Sequence, residues 1–566
     1  MIAQFISAFN LAEPIVFDYN RDAIYTLLRG FYMYSYKIIP QPATFTFLER
    51  AGIDCTSGLG LTVDGTDPSL TADFTRFLTL SHIPAGAENI QIRVGGDPAD
   101  ESYTLEICDG QAQIDSPGPR GAFYALQTLK QLILQSDGGQ VAALHIEDRP
   151  RFPYRGFMLD TGRYFYPVAE VKQFLDWMAL QKLNTFHWHL TEDQGWRIEI
   201  KKYPGLTEYG SRRSHTNFGF RPHGGFYTQE EIREVVRYAH SLYIQVIPEI
   251  DLPGHMQAAI ACYPELSCFD RKLPVATHWG VKHDILCAGK ESTFQFLFDV
   301  LDEVAELFPD GWIHLGGDEA VKMRWKLCPH CRQKMRELGL ETEDDLQLWF
   351  MSRVDNYLAQ KGIRTLMWSW DGIPPKDLLN RSIGYQLCGM GSQNGGIFNR
   401  EMENGRAAVQ SSAFPYYLDF PYGWNNLRQT YDFEPVPDSL SEKAARSLMG
   451  VEGPLWTEYV PDMKKAEYCT FPRLCAIAES GWTPADAKDY ARFHAALDPF
   501  YRLLQLYGMR HAATEKQYMP GKLRAKGYSL WFNRRQLHWQ GLHNLIDDAR
   551  VARLAAKGHA GHDNQS

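Results

Sequence analysis

The chain has no uninterrupted apolar run of the roughly 20 residues that a bilayer-crossing helix needs, so no membrane partner is expected. Cysteine is scarce for the length, ten in 566 residues, which excludes a scaffold held by disulfides. Cys328-Pro-His-Cys331 is a CxxC pair that could supply half a zinc site. No second pair with metal spacing follows it, and reduced structural thiols are the expectation. No basic run interleaves with aromatics, and the net charge is −10 with a pI near 6.0. Nucleic acid is therefore not expected as a partner. No convincing secretion signal is read either. Residues 1–20 hold an apolar stretch, but it has no basic segment before it and Glu13 interrupts it. Together with the cysteine usage this favours the cytoplasm.

What the chain has in excess is aromatic: 14 Trp, 29 Tyr and 31 Phe. Most must be core, since aromatics carry large apolar area, and a surplus is also what a sugar-binding cleft uses. With 44% hydrophobic and 22% charged residues the composition is globular, and 566 residues suggest two or three domains. The first 37 residues carry no readable motif and form an N-terminal extension. Within 38–150, Ile90, Ile92 and Val94 alternate with polar residues, as do Tyr103, Leu105 and Ile107, then Ala112 and Ile114. Such alternation predicts half-buried strands. Ala122, Leu126, Leu129, Leu132 and Ile133 then recur at helical spacing. This predicts a small α+β domain that ends at the proline-punctuated stretch 148–154.

From Arg155 strands alternate with helices. Strands are predicted at Gly156–Leu159, Thr185–Leu190, Tyr243–Ile250, Trp312–Leu315, Thr365–Trp370, Ile383–Leu387, Ala407–Ser412 and Gly450–Leu455, with amphipathic stretches such as Val168–Leu183, Gln229–Leu242 and Thr293–Phe308 between them. Eight strands with intervening helices predict an α/β fold, a (β/α)8 TIM barrel over 151–508. Tyr490, Phe493, Leu497, Tyr501 and Leu504 predict a helix packed on the barrel. Residues 509–566 form a helical C-terminal extension, with an amphipathic stretch at Leu542–Leu554 and a tail, Gly558–Ser566, predicted to be disordered.

The most informative stretch is Trp312-Ile-His-Leu-Gly-Gly-Asp-Glu319, where a strand runs into a Gly-Gly turn that delivers two adjacent carboxylates. Neighbouring acids are costly unless their surroundings separate their ionisation, as an enzyme needs when one must donate a proton and the other stay anionic. In a barrel, function collects where strands end. The other strand ends supply Asp160 and Arg163; His187, His189, Glu192 and Asp193; Glu249, Asp251 and His255; Trp368, Trp370 and Asp371; Tyr416, Tyr417 and Asp419; and Trp456 and Glu458. One polar cleft with aromatic walls is the implication. His187 and His189, alternating on a strand, read as hydrogen-bonded core histidines.

These residues resemble a known family. His314-Leu-Gly-Gly-Asp-Glu319 is similar to the signature of the β-N-acetylhexosaminidases of glycoside hydrolase family 20. Five further stretches match in the same order: Arg155–Arg163, Lys182–Asp193, Pro248–His255, Tyr417–Asp419 and Leu455–Glu458. The resemblance covers about residues 38–508. It implies removal of terminal β-linked N-acetylglucosamine or N-acetylgalactosamine with retention, the substrate's own acetamido group being the nucleophile. Carried over motif by motif, it makes Glu319 the general acid and base, and Asp318 the residue that orients the acetamide. Tyr417 becomes a donor to the acetamide oxygen. Arg163, Asp419 and Glu458 become ligands of the sugar hydroxyls, and Trp370 and Trp456 walls of the pocket. His255 supports the acid with a carboxylate from Glu192 or Asp193. The resemblance implies no metal and no cofactor, and a β-linked N-acetylhexosamine oligosaccharide or glycoconjugate as partner; a homo-oligomer is left open. Departures are Glu192 where many members have Asp, Cys388-Gly-Met390 where a tryptophan is expected, and Gly372 where an acid is. Two other readings stand beside this one. A metal-dependent barrel hydrolase would use His187, His189, Asp251 and His255, and a non-catalytic glycan-binding protein would share the barrel.

Overall fold

The computed structural model describes residues 36–65, 67–216, 221–369, 378–389, 396–536, 546–553 and 555. Most of the N-terminal extension, Trp370, Asp371, Gly372, Met390 and the tail lie outside the described residues. Among the described residues no helix is long and apolar enough to cross a membrane.

Residues 46–148 build a six-stranded mixed sheet in the order Thr46–Phe47, Leu144–Asp148, Tyr103–Cys108, Gln111–Ser116, Ala85–Val94, Leu59–Asp64. The predicted helix is present as Pro119–Leu134 and packs on this sheet. A second helix, Pro68–Ser81, is an addition to the reading from sequence. Its start was written in Asp67-Pro68-Ser69: the Asp67 carboxylate accepts from the Ser69 N–H, and the proline fills a position that has no N–H to satisfy.

All eight barrel strands are present: Tyr154–Asp160, Thr185–His189, Gln245–Glu249, Trp312–His314, Arg364–Ser369, Gly384–Leu387, Ala408–Gln410 and Leu448–Leu455, hereafter barrel strands one to eight. They pair in parallel and close, strand eight against strand one. Helices Val168–Leu180, Gln229–Ser241, Glu291–Leu307 and Glu343–Ala359 cover the outside of the first half. Alternation sends Trp188 outward, onto Tyr227 and Phe308, and its neighbours His187 and His189 into the barrel.

The interior is layered. Tyr154, Ile247, Leu366 and Val409, from strands one, three, five and seven, form an apolar floor. Above it the even strands contribute polar groups, His187, His314, Gln386 and Glu452, all fully buried or nearly so. His187 Nδ1 lies 3.0 Å from Glu452 Oε1, and Gln386 Nε2 donates to the same oxygen and to Ser411 Oγ at 2.9 Å. Above these, Met158, Glu249 and Trp368 return to odd strands, and the Trp368 indole donates to Glu249 Oε1 at 2.8 Å. Burial alone would discharge His187, but Glu452 and Glu249 at its two nitrogens hold it protonated, up to about 9.

The small domain meets the barrel at the starts of strands one and two, away from the strand ends that carry the candidate site. Arg155 reaches Glu101 Oε2 at 2.8 Å and the Tyr124 hydroxyl at 3.1 Å. Lys182 Nζ, fully buried, lies 3.1 Å from Asp148 Oδ2 and 2.9 Å from the Tyr103 hydroxyl. Trp482 Nε1, from the helix Arg473–Trp482, adds 3.0 Å contacts to Asp148. The helix Tyr490–Leu506 buries Phe493, Leu497 and Leu504 of the predicted stripe, with Tyr490 and Tyr501 half-buried, and packs mainly on the small-domain helix Pro119–Leu134 rather than on the barrel alone. Removing one member of a buried ion pair leaves the other charged and unpaired, at a cost of about 3–5 kcal/mol. Lys182→Met is therefore expected to lower the urea midpoint of unfolding far more than Lys172→Met, whose amine forms an exposed pair with Glu234; equal midpoints would show that the junction contributes nothing.

Candidate functional site

The site begins where the strands end. At the end of strand one, Asp160 is clamped by its own turn: Oδ1 accepts from the Gly162 and Arg163 N–H groups at 2.9 and 3.1 Å, and Oδ2 from Thr457 N and Oγ1, both at 3.0 Å. This ties the loop after strand one to that after strand eight and aims Arg163 inward. The guanidinium lies 2.7 Å from Glu192 Oε1, 3.3 Å from Asp160 and 3.8 Å from Glu458, over the Trp456 ring at 4.9 Å.

Glu192, after strand two, is the hub. It is buried and lies 3.1 Å from His189 Nε2 and 3.0 Å from His255 Nδ1, in addition to Arg163. Burial pushes its carboxyl up, yet Arg163 and His255 outweigh that and hold it well below the usual carboxylate range. The choice between Glu192 and Asp193 is thus answered by distance: Asp193 Oδ2 is 3.6 Å from the same His255 nitrogen, while its Oδ1 accepts from the Gln257 N–H at 2.9 Å.

After strand three the chain places Asp251 and His255; after strand four, Asp318 and Glu319. The Gly-Gly turn does what its composition predicts. Gly316 has φ 64°, and a Cβ there would fall 1.8 Å from Asp251 Oδ1. The closeness lets the Gly317 N–H donate to that oxygen at 3.1 Å. His255 and Glu319, at φ 51° and 48°, are in the left-handed region that non-glycine residues seldom enter. These two strained residues face each other, His255 Nε2 lying 3.6 Å from Glu319 Oε2. The Glu319 side chain is 26% exposed while that of Glu192 is 1% exposed, so Glu319 meets solvent where the hub does not.

Burial pushes the Glu319 carboxyl up to about 7, helped by Asp318 and opposed by His255 and Arg163. Burial also raises Asp318 and Asp251, and Asp251, facing Asp318, is held well above the ordinary range. Asp419 and Glu458 are raised by burial and by nearby acids, with Arg163 opposing. On this face, among the described residues, Asp318 Oδ1 and Asp419 Oδ1 are buried without a hydrogen-bond partner. A buried carboxylate oxygen of this kind is completed by a water or a ligand. Tyr417 is half-buried, its ring 6.1 Å from that of Trp456; burial pushes its hydroxyl pKa up, and the fields of Asp318 and Asp419 add to this. Trp456 packs against Trp368 with ring centroids 5.4 Å apart and the planes tilted by 46°.

The described residues to which the resemblance gives roles lie at these strand ends, whereas His187 lies inside the barrel between Glu452 and Glu249. Trp370 lies outside the described residues. Tyr416 turns away onto Phe433. The four residues of the metal-hydrolase reading do not form one ligand set: His187 groups with Glu249 and His314, and His189 and His255 fall in separate groups. Sequence reasoning overlooked Glu452, whose signal was a lone acid inside an apolar strand. It also overlooked Lys282, which burial pushes down while Asp193 and Glu192 act against it. Trp279, whose ring lies 6.1 Å from Tyr459 of the loop after strand eight, carried no signal.

A closed parallel barrel with an acid-lined, aromatic-walled face at its strand ends defines a barrel of the glycoside-hydrolase kind. The comparisons specify it. The model of the glycosyl hydrolase family 20 catalytic domain matches residues 152–485, and that of the family's domain 2 matches 35–149. The chain belongs to glycosyl hydrolase family 20. It is 39% identical over 464 residues to a beta-hexosaminidase of Porphyromonas gingivalis, covering 78% of this chain and 58% of that protein. It is 35% identical over 410 residues to a beta-hexosaminidase of Akkermansia muciniphila, covering 70% of this chain and 82% of that protein. The crystal structure of an exo-β-N-acetylglucosaminidase from Vibrio harveyi in complex with N-acetylglucosamine superposes with a TM-score of 0.75 at 28% identity, over 85% of this chain and 79% of that one.

The electrostatics make a prediction that does not depend on turnover. Infrared difference spectra recorded across neutral pH are expected to show one protonated carboxyl ionising near pH 7 that is absent in Glu319→Gln. In His255→Ala its midpoint moves upward, because the imidazolium that favours the anion is gone. A downward move would show that His255 does not act on this acid.

Proposed function

We propose that this protein is a retaining exo-β-N-acetylhexosaminidase, in which the substrate's acetamido group is the nucleophile and Asp318 and Glu319 do the protein's part of the chemistry. The observation that carries the reading is the contrast within this adjacent pair. Glu319 faces solvent with a carboxyl that still holds a proton near neutral pH, while Asp318 buries an oxygen with no partner of its own.

In the first step Glu319 gives its proton to the glycosidic oxygen as the bond from that oxygen to the anomeric carbon breaks. The acetamido carbonyl oxygen forms a bond to the same carbon from the opposite face. Asp318 Oδ1 accepts the acetamido N–H, which turns the carbonyl towards the anomeric carbon and stabilises the positive charge of the oxazolinium ring. Burial and the facing Asp318 raise the Asp251 carboxyl well above the ordinary carboxylate range, so Asp251 is the second acid at this position. The Tyr417 hydroxyl donates to the acetamido oxygen. In the second step Glu319, now anionic, takes a proton from water as the water oxygen bonds to the anomeric carbon and the ring opens. Two inversions leave the product with its original configuration. Well-oriented intramolecular attack corresponds to an effective molarity of about 10⁵–10⁸ M, so holding the acetamide is the larger part of the work.

Arg163, Asp419 and Glu458 take the sugar hydroxyls. Charged donors and acceptors suit that task because charge-assisted hydrogen bonds are about twice as strong as neutral ones. Trp456, beneath the Arg163 guanidinium, gives a flat apolar face for the ring. The relatives named beta-hexosaminidases and the neighbour that binds N-acetylglucosamine support this substrate class.

Glu319→Gln is expected to lower kcat on a chromogenic N-acetyl-β-glucosaminide by about 10²–10⁴-fold with folding intact; near-normal turnover would refute the assignment. Asp318→Asn should lower kcat far more than it raises KM on the same substrate, and an effect confined to KM would exclude attack by the acetamide. A panel of β-glycosides differing at C2 should show turnover only where the 2-acetamido group is present, and variation at C4 then separates gluco from galacto preference. Because Glu319 must begin protonated, kcat/KM is expected to fall as pH rises past about 7.

A further inference from the structure

Four of the ten cysteines meet in one place. Cys268 and Cys287 come from the long loop after barrel strand three, Cys328 and Cys331 from the segment after strand four, and all four are buried. The Cys328-Pro-His-Cys331 pair thus has partners, but they precede it in the chain and lie 19 residues apart, a spacing that does not read as a metal pair. Their sulfurs lie within 4.8 Å of one another. Three of the separations are 3.8 Å (Cys268–Cys331), 3.7 Å (Cys287–Cys328) and 3.6 Å (Cys287–Cys331). A tetrahedron with metal–sulfur bonds of about 2.3 Å has sulfur–sulfur edges of about 3.75 Å. A disulfide would need about 2.05 Å. Packed thiols can also touch at such distances, but thiols that merely fill a core have no reason to converge four at one point, since each is a weak and undirected hydrogen-bonding group.

The backbone around the sulfurs is built to hold them there. Cys328 caps the helix Pro329–Leu338, and Cys331 sits in its first turn. Gly289, two residues after Cys287, packs directly on that turn. A Cβ at Gly289 would fall 2.2–2.5 Å from the backbone of His330 and Cys331, so only glycine allows the two cysteine turns to approach. The other two cysteines are clipped together by their own backbone: the Cys287 N–H donates to the Leu266 carbonyl at 2.8 Å, and Ser267 bridges to Leu286. Lys290 Nζ then reaches the Ser267 carbonyl at 2.7 Å and closes the turn.

We infer that Cys268, Cys287, Cys328 and Cys331 form a structural zinc site, with four thiolates around one tetrahedral ion. Binding is not a redox step: zinc forms four bonds to sulfur, and the thiol protons leave to solvent. All four positions are taken by protein, so the ion has no open place for water or substrate. Its effect is positional. One pair of ligands follows His255 in the loop after strand three, and the other follows Glu319 after strand four, so the metal ties together the two segments whose residues face each other across 3.6 Å in the site.

The test uses the full chain, purified without chelator from cells supplied with zinc. Elemental analysis is expected to find one zinc per chain, and X-ray absorption at the zinc edge four sulfur neighbours at about 2.3 Å. Cys328→Ser/Cys331→Ser should lose the ion and melt at a lower temperature, whereas Cys108→Ser, whose thiol lies in the small domain, should keep both. Glu319→Gln should keep its zinc, which separates this site from any metal held at the catalytic acids. If the double variant does not fold, the absorption spectrum of the unaltered protein still decides. Protein without zinc whose four thiols all titrate as free, nitrogen or oxygen neighbours in the spectrum, iron at the four sulfurs, or a mass showing paired disulfides would each overturn the assignment.

Discussion

The Glu192 carboxylate is the interaction on which the rest of the site depends. A buried charge costs several kcal/mol unless its neighbours compensate for the lost water, and here three cationic or protonated partners do so, each from a different element. Arg163 comes from the loop after strand one, His189 from strand two and His255 from the loop after strand three. None can move without leaving Glu192 uncompensated, and His255 carries the constraint on to Glu319. Below the hub the same pattern continues: His189 meets Glu249, Glu249 meets His187, and His187 meets Glu452. Alternating acids and imidazoles thus run from the barrel centre to the solvent-facing acid. Each acid in the line has a histidine on it, which satisfies a column of charge in an interior where lone ions would not survive.

Polarity is graded along the barrel axis. The floor is apolar and the junction with the small domain is sealed by Arg155 and Lys182, which stabilises the closed end. The strand ends carry the excess of acid. Asp251, Asp318, Glu319, Asp419 and Glu458 are all raised by burial, and Arg163, His255, His189 and Arg473 oppose this. An acid surplus of this kind pushes carboxyl pKa values up, and position sets how far: Glu319 meets solvent and His255, whereas Asp251 is enclosed beside Asp318.

The alternation of apolar residues made the eight strands and the main helices legible, because the periods of strand and helix are local properties of the chain. Strand ends were legible too, since a barrel places its function there whatever its chemistry. The helix at Pro68–Ser81 was missed although its cap was visible. The layered interior was not legible: that His187, His314, Gln386 and Glu452 share a level depends on strand register, which no single strand encodes. The family motifs brought Asp318, Glu319, Tyr417 and Arg163 together, but not the distances that give Glu192 rather than Asp193 the nearer place at His255.

By itself the sequence determined the barrel, the adjacent acids and the glycines that let the turn carry them, because each of these is written in a short stretch whose physics is local. Only the tertiary structure decided which acid carries a proton, which carboxylate anchors the histidine, and that four cysteines scattered over 64 residues share one point in space. Those outcomes depend on burial and on distances between segments far apart in the chain, and both exist only once the loops have closed over the strand ends.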